Sequence, residues 1–356
     1  MNPWETIMIG KISAVLVGGL AVLLAQAPSS DARAAGLGDF YEGKTVTITI
    51  GYGFGGTYGK YARTMAEHLA KHIPGNPKII VKSLPGAGGI KMTNFAYNAM
   101  PRRGYHFFMP SDTIVVSELL RPKKVKYRAK EFTWLGSSNQ TNSIFVLRTD
   151  SGVTKWQDMK TKRVIVGNTG PGSPSFLVPR MLKLMLGLKI KQVAGYKGSS
   201  KTILAMEQGE HQGSAFNWLG WSSKVSHWFK KDKNGKIFAT AILQTGVYKD
   251  PDLPNVPMIR DVVADKHKPI VAFMATLGII GRGLALPPGA PKKVVGPLRA
   301  AFAKMIKDPA YVADAKKRRL RISPTSGADI QDFVTKAYAN ANPKVVAKAR
   351  KMIFGK

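Results

Sequence analysis

Two β-branched runs in the first hundred residues each end in a glycine-rich turn and then enter a helical pattern, an order that restricts the chain to βα units. Thr45–Ile50 (TVTITI) alternates as a sheet strand should. After the turn Gly51–Gly59 (GYGFGGTYG), Ala62, Met65, Ala66, Leu69 and Ile73 recur on one helical face. Lys78–Val81, the turn Pro85–Gly89 (PGAGG) and Met92–Met100 repeat the plan. Glycine suits such turns because positive φ is required and a Cβ would block a ligand's approach. Exposed peptide N–H groups and the helix dipole then favour an anion, and a carboxylate or phosphate is the natural guest.

Short apolar strands continue to alternate with helical stretches. Strands are expected at Phe107–Met109, Trp134–Gly136, Ile144–Leu147, Val164–Val166, Ala215–Phe216 and Ile237–Ala241. Helices are expected at Ser175–Leu186, Lys201–Gln208 and Pro291–Ile306. This pattern reads as α/β, with a length that suits two lobes. Asp250–Pro257 (DPDLPNVP) cannot hold a regular ladder and reads as a surface connection.

Near the amino terminus, Ile12–Ala27 is apolar, follows Lys11, and leads to Ala32-Arg33-Ala34. It reads as a secretory leader cleaved near Ala34, because Pro28 and the small-residue site arrive before the roughly 20 apolar residues a bilayer span needs. Glu5 makes a poor leader start, so Met8 is the expected initiator. With no cysteine, thiolate chemistry and Cys-ligated zinc are excluded. The formal net charge of +33 points toward anionic partners. Its clusters at Arg121–Lys130, Lys230–Lys236, Lys316–Arg321 and Lys344–Lys351 sit in separate elements with little aromatic interleaving, so they read as solvated faces and no nucleic acid is expected.

Gly51, Gly53 and Gly56 satisfy G-x-G-x-x-G, but the next strand closes with Lys82 and Ser83 where a dinucleotide site needs an acid. His68 and His72 share a helical side without a third ligand nearby in sequence and read as solvent-facing. Glu210 and His211 are adjacent and should point apart, and no nucleophile, H-E-x-x-H or G-x-S-x-G is present. No enzyme, cofactor or metal is expected. Gly167–Ser173 (GNTGPGS) offers a third amide cradle with Thr169 and Ser173 as hydroxyl donors, although Ser173 would also serve as an ordinary N-cap. Tyr196, Lys197, Asn217, Trp218 and Trp221 follow further strands, and one tryptophan is expected in the core.

Read together, these segments resemble the periplasmic solute receptors of tripartite tricarboxylate transporters, the TctC family. The family's G-G-x-x-D-x-x-A-R helix start falls within Gly53–Arg63, P-G-A-G-G at Pro85–Gly89, P-x-D-G-Y at Pro101–Tyr105, Y-K-G at Tyr196–Gly198 and L-P-x-V-P at Leu253–Pro257. The resemblance implies a type II periplasmic-binding-protein fold, two Rossmann-like lobes joined by a double-crossover hinge. Residues 1–34 would be the leader, 35–138 with 280–356 the first lobe and 139–279 the second, with crossings near Ser138–Ile144 and Ala275–Gly283. It also implies that Phe54, Gly55, Gly56, Thr57, Tyr58, Gly59, Pro85, Gly86, Ala87, Gly88 and Gly89, with Ser111, hold a carboxylated solute against Thr169, Ser173, Tyr196 and Asn217. Its partners would be a small organic anion and the subunits of a membrane permease, the receptor itself being a periplasmic monomer. The chain departs from the family where the turn aspartate becomes Gly59 and G-E-V-D becomes Gly209–Gln212. Losing two acids predicts a ligand without an amine, a di- or tricarboxylate or an acid whose aromatic body meets Tyr58, Trp218 and Trp221. The readings set against this one are a secreted nucleotide-dependent enzyme using the Gly51–Gly56 turn and a cationic protein that binds acidic surfaces.

Overall fold

A computed structural model describes residues 38–140, 142–275 and 278–355; the expected leader lies outside them. The first sheet begins with β1 (Thr45–Ile50), β2 (Lys78–Ser83) and β3 (His106–Met109), and β1 runs parallel to both neighbours. Its register pairs Ile50 with Ser83 and with Met109, so all three strands end level and the turns that follow leave from one edge. The helices after those turns are α1 (Thr57–Leu69), α2 (Ile90–Asn98) and α3 (Ile114–Leu120). Strand β4 (Thr133–Ser137) belongs to the same sheet, and the chain then leaves it.

The second sheet holds β5 (Ser143–Arg148), β6 (Val164–Asn168), β7 (Ile190–Ala194), β8 (Gly213–Asn217) and β9 (Ala239–Thr245), in the order β7-β6-β8-β5-β9. Strand β6 is parallel to β7 and β8, with Asn168 opposite Ala194, so Thr169, Gly195 and the end of β8 emerge together. Among its helices are α4 (Pro174–Leu186), α5 (Ser199–Glu207), α6 (Trp218–Val225) and α7 (Lys268–Ala275). The chain returns to the first sheet as β10 (Gly283–Leu286), which lies antiparallel between β3 and β4, and later adds β11 (Thr325–Ser326) beside β4. Because Gly283 pairs with Ser137, the outgoing and returning segments lie side by side. This is the two-sheet architecture of a type II binding protein, with the functional edge at the carboxyl ends of the parallel strands.

Each sheet has its own core. Helices α8 (Lys292–Lys307) and α9 (Pro309–Lys317) bury Leu298, Phe302, Met305 and Tyr311 with Ile48, Phe107 and Leu284. On the second sheet, Leu177 and Met181 of α4 pack with Phe145, Val164 and Val166. The two last helices divide. α10 (Gly327–Ala339) buries Ile330 and Val334 against Trp134, whereas α11 (Pro343–Phe354) places Val346, Ala349 and Ile353 in the second core. The carboxyl-terminal stretch, read from sequence as part of the first lobe, thus ends as a strap packed on the other sheet.

Candidate ligand-binding cleft

The carboxyl ends of the two sets of parallel strands face each other, and a cavity of about 230 Å³ remains between them. Gly51, Tyr52 and Pro85–Gly88 line it from the first sheet; Thr169, Gly195, Tyr196 and Lys197 line it from the second. No carboxylate side chain is in the lining. The Lys197 ammonium group has no partner among the described residues. An anion is therefore the species that would complete the cavity electrostatically.

Around the cavity the loops meet main chain to main chain. The Gly53 amide donates to Lys197 O at 2.7 Å, Gly88 to Thr169 O at 3.1 Å, and Gly172 to Ala87 O at 3.2 Å. The Thr113 hydroxyl donates to Gly172 O. Two turns that read as separate cradles are thus one glycine-to-glycine contact. A Cβ on Gly88, whose φ is +68°, would lie 2.6 Å from Ser173 N; one on Gly172 would lie 2.7 Å from Ala87 O. Only glycine lets the backbones approach this closely.

Sequence-predicted residues divide accordingly. Pro85, Gly86, Ala87, Gly88, Thr169 and Tyr196 line the cavity. Ser111 and Gly89 stand one layer back, where the Tyr52 hydroxyl donates to Gly88 O at 2.9 Å and lies 2.9 Å from Ser111 Oγ. Burial pushes the Tyr52 phenol well above its ordinary value, so it remains a donor. Ser173 occupies the N-cap position of α4, yet its hydroxyl lies 2.8 Å from Gly170 O and makes no cap bond. Tyr196 donates to Glu210 at 2.9 Å, while His211 turns into the core beneath Gly167, as adjacency required.

The first turn departs furthest from expectation. Phe54 projects into solvent and does not face the cavity. A Cβ on Gly59 would fall 2.0 Å from Phe54 O, so the main chain of the turn leaves no room for a side chain at this position. Gly55 O is in turn clasped from the second sheet by Ser200 Oγ at 2.5 Å and by the Lys224 ammonium group. Thr57 and Tyr58 face inward to a buried pair that sequence gave no cue to. Arg282 donates to Thr57 Oγ1 at 3.0 Å, sits 3.9 Å over the Tyr58 ring and lies 3.5 Å from Asp112. Burial pushes the Asp112 carboxyl above its ordinary value; Arg282 and a hydrogen bond from Asn217 pull it back. Asn217 therefore ties the two sheets together and also accepts from Gly220 N at the start of α6.

Two further expectations are corrected. Trp218 and Trp221 are both buried in a further cluster of the second sheet, with Ile144, Val146, Val225 and Trp228, so neither offers a surface to an aromatic ligand. His68 and His72 are not free solvent-facing groups: they lie 3.0 Å from Asp314 and 2.9 Å from Asp308. Glu67 and Asp314 near His68 are occupied by Arg318, which accounts for their charge without a metal.

Lys224 should make closure of the two sheets sensitive to pH. Burial, reinforced by Lys60 and Arg63 across the cleft, pulls its ammonium group down to about 8. An exposed lysine in an open form titrates near 10.4. Between these values the closed form binds fewer protons, so closure should gain as pH rises. The radius of gyration of the ligand-free protein is expected to fall from pH 7 to pH 10, with no such change in Lys224→Gln; equal behaviour of the two proteins would refute the assignment.

The model of the tripartite tricarboxylate transporter family receptor matches residues 61–349. This chain belongs to that family. A curated relative, the UPF0065 protein in the gbd 5′ region of Cupriavidus necator, is 24% identical over 313 residues, spanning 85% of this chain and 84% of the relative. Among solved structures, the periplasmic binding protein BugD aligns with a TM-score of 0.68 at 18% identity, covering 88% of this chain and 98% of its own. Rpa4515 of R. palustris with adipate aligns at 0.66 and 19% identity, covering 86% and 97%. MatC (Rpa3494) of Rhodopseudomonas palustris with bound malate aligns at 0.66 and 18%, covering 85% and 99%. These likenesses establish the fold, and the family is one of transporter receptors rather than enzymes. Among the described residues no helix is long and apolar enough to cross a membrane.

Proposed function

We propose that this receptor is exported by its leader, captures a small di- or tricarboxylate without an amine between its two lobes, and delivers it as a monomer to the permease of a tripartite tricarboxylate transporter. One observation carries the reading: the cleft cavity is lined by glycine turns and an unpaired Lys197, with no carboxylate to receive an ammonium group. The adipate and malate bound to the two R. palustris receptors are of this chemical class. With Trp218 and Trp221 in the core, an aromatic body has less to stack on, and aliphatic acids are favoured.

A thermal-shift panel tests the assignment. A ligand present at a hundred times its Kd stabilises the folded protein by about 2.7 kcal/mol, enough to raise the melting temperature measurably. Aliphatic di- and tricarboxylates of four to six carbons should give the shift. Binding of an amino acid by calorimetry, with no response to any carboxylate, would overturn the proposal.

A further inference from the structure

The ends of β6 and β7 opposite the cleft open onto a second, larger concavity of about 560 Å³. Five cations surround it. Arg163 precedes β6, Arg180 and Lys183 lie on the carboxyl half of α4, and Lys189 and Lys191 flank the start of β7. No acid is in the lining. Arg180 is tethered, its Nε donating to Ile353 O of the terminal helix at 3.0 Å. Arg163, Lys183, Lys189 and Lys191 make no side-chain hydrogen bond or ion pair with any described residue.

Lysines on an exposed edge strand are expected, since they discourage sheet-to-sheet association. Edge protection requires charge on the strand alone. Here a helix and the loop before the neighbouring strand add two guanidinium groups and an ammonium group to the same hollow, and concave placement brings like charges together where a convex face would spread them. Planar guanidinium forks match the paired oxygens of a phosphate, and clustered lysines add charge without demanding one geometry. We infer that this groove is a second anion site, separate from the solute cleft, that takes a multiply charged phosphate group, carried either by a soluble polyphosphate or by a lipid headgroup.

The test uses the full chain at about 0.15 M salt, where interactions between dispersed surface charges are largely screened. Tripolyphosphate is titrated by calorimetry, and flotation is measured with vesicles containing or lacking an anionic phospholipid. The comparison is between Arg163→Gln/Lys183→Gln, which removes two unpaired groove cations, and Lys230→Gln/Lys231→Gln, which removes the same charge from an exposed loop. Tripolyphosphate should bind at a single site, weaken at least tenfold in the groove variant and hold in the loop variant; that pattern assigns a soluble phosphate. The same pattern in vesicle flotation alone assigns a headgroup. Equal weakening in both variants, or no binding of either probe, would overturn the site.

Discussion

Replacing Gly172 by alanine is expected to weaken carboxylate binding roughly 5- to 150-fold while leaving the melting temperature of the ligand-free protein nearly unchanged. The added methyl would stand 2.6 Å from Ile90 Cδ1 and 2.7 Å from Ala87 O, both across the cleft. Ile90 can shift, but the Ala87 carbonyl cannot without breaking the bond it accepts from the Gly172 amide. Overpacking of this kind costs about 1–3 kcal/mol, and the apparent affinity falls by the same free energy because fewer molecules reach the closed form. At about 1.4 kcal/mol per tenfold change, this gives the stated range. With the two sheets apart the methyl would meet neither Ile90 nor Ala87, so the stability of the ligand-free protein is expected to hold. Gly88→Ala should lose affinity similarly but also lose stability, because its φ of +68° disfavours alanine even with the lobes apart. Calorimetric affinities and melting curves of both variants, using the acid identified by thermal shift, check this; an unchanged affinity for Gly172→Ala would refute it.

That contact marks the limit of what the sequence discloses. Strands β3, β4, β5, β6 and β8 lie where short apolar runs place them, because each is bounded by turn residues and buried on both faces. The expected strand at Ile237–Ala241 begins early, since Ile237 is exposed and the ladder runs Ala239–Thr245. Glycine turns were legible as backbone devices. Their pairing was not, because Gly88 and Gly172 are brought together only by the register of two separate parallel ladders. The sequence places one of Trp218 and Trp221 in the core, yet helix α6 turns both inward. Tyr52 passed unnoticed inside the glycine frame although its hydroxyl braces the second turn. Its single cue was a tyrosine directly after a strand that ends at the functional edge.

Removing Arg282 is expected to destabilise the protein by about 3–5 kcal/mol, the usual consequence of leaving one member of a buried ion pair without its partner. Arg282 and Asp112 are 1% and 4% exposed, so water cannot compensate the carboxylate that remains. In Arg282→Met that carboxylate loses the guanidinium that opposed its burial, and its pKa rises further above the unfolded value. The folded state then binds a proton more readily than the unfolded state, so the variant should regain stability as pH falls through that raised pKa. Denaturant melts at pH 8 and pH 5 are expected to show the larger deficit at pH 8. Asp112→Asn/Arg282→Met removes both charges and should recover much of the loss, because a buried pair can often be replaced by neutral groups at little cost. Ligand affinity should stay impaired in the double variant, since Thr57 and Tyr58 still lack the group that fixes the start of α1 beneath the first turn. A deficit independent of pH, or a double variant no more stable than the single one, would show that Arg282 acts through packing and not through its charge.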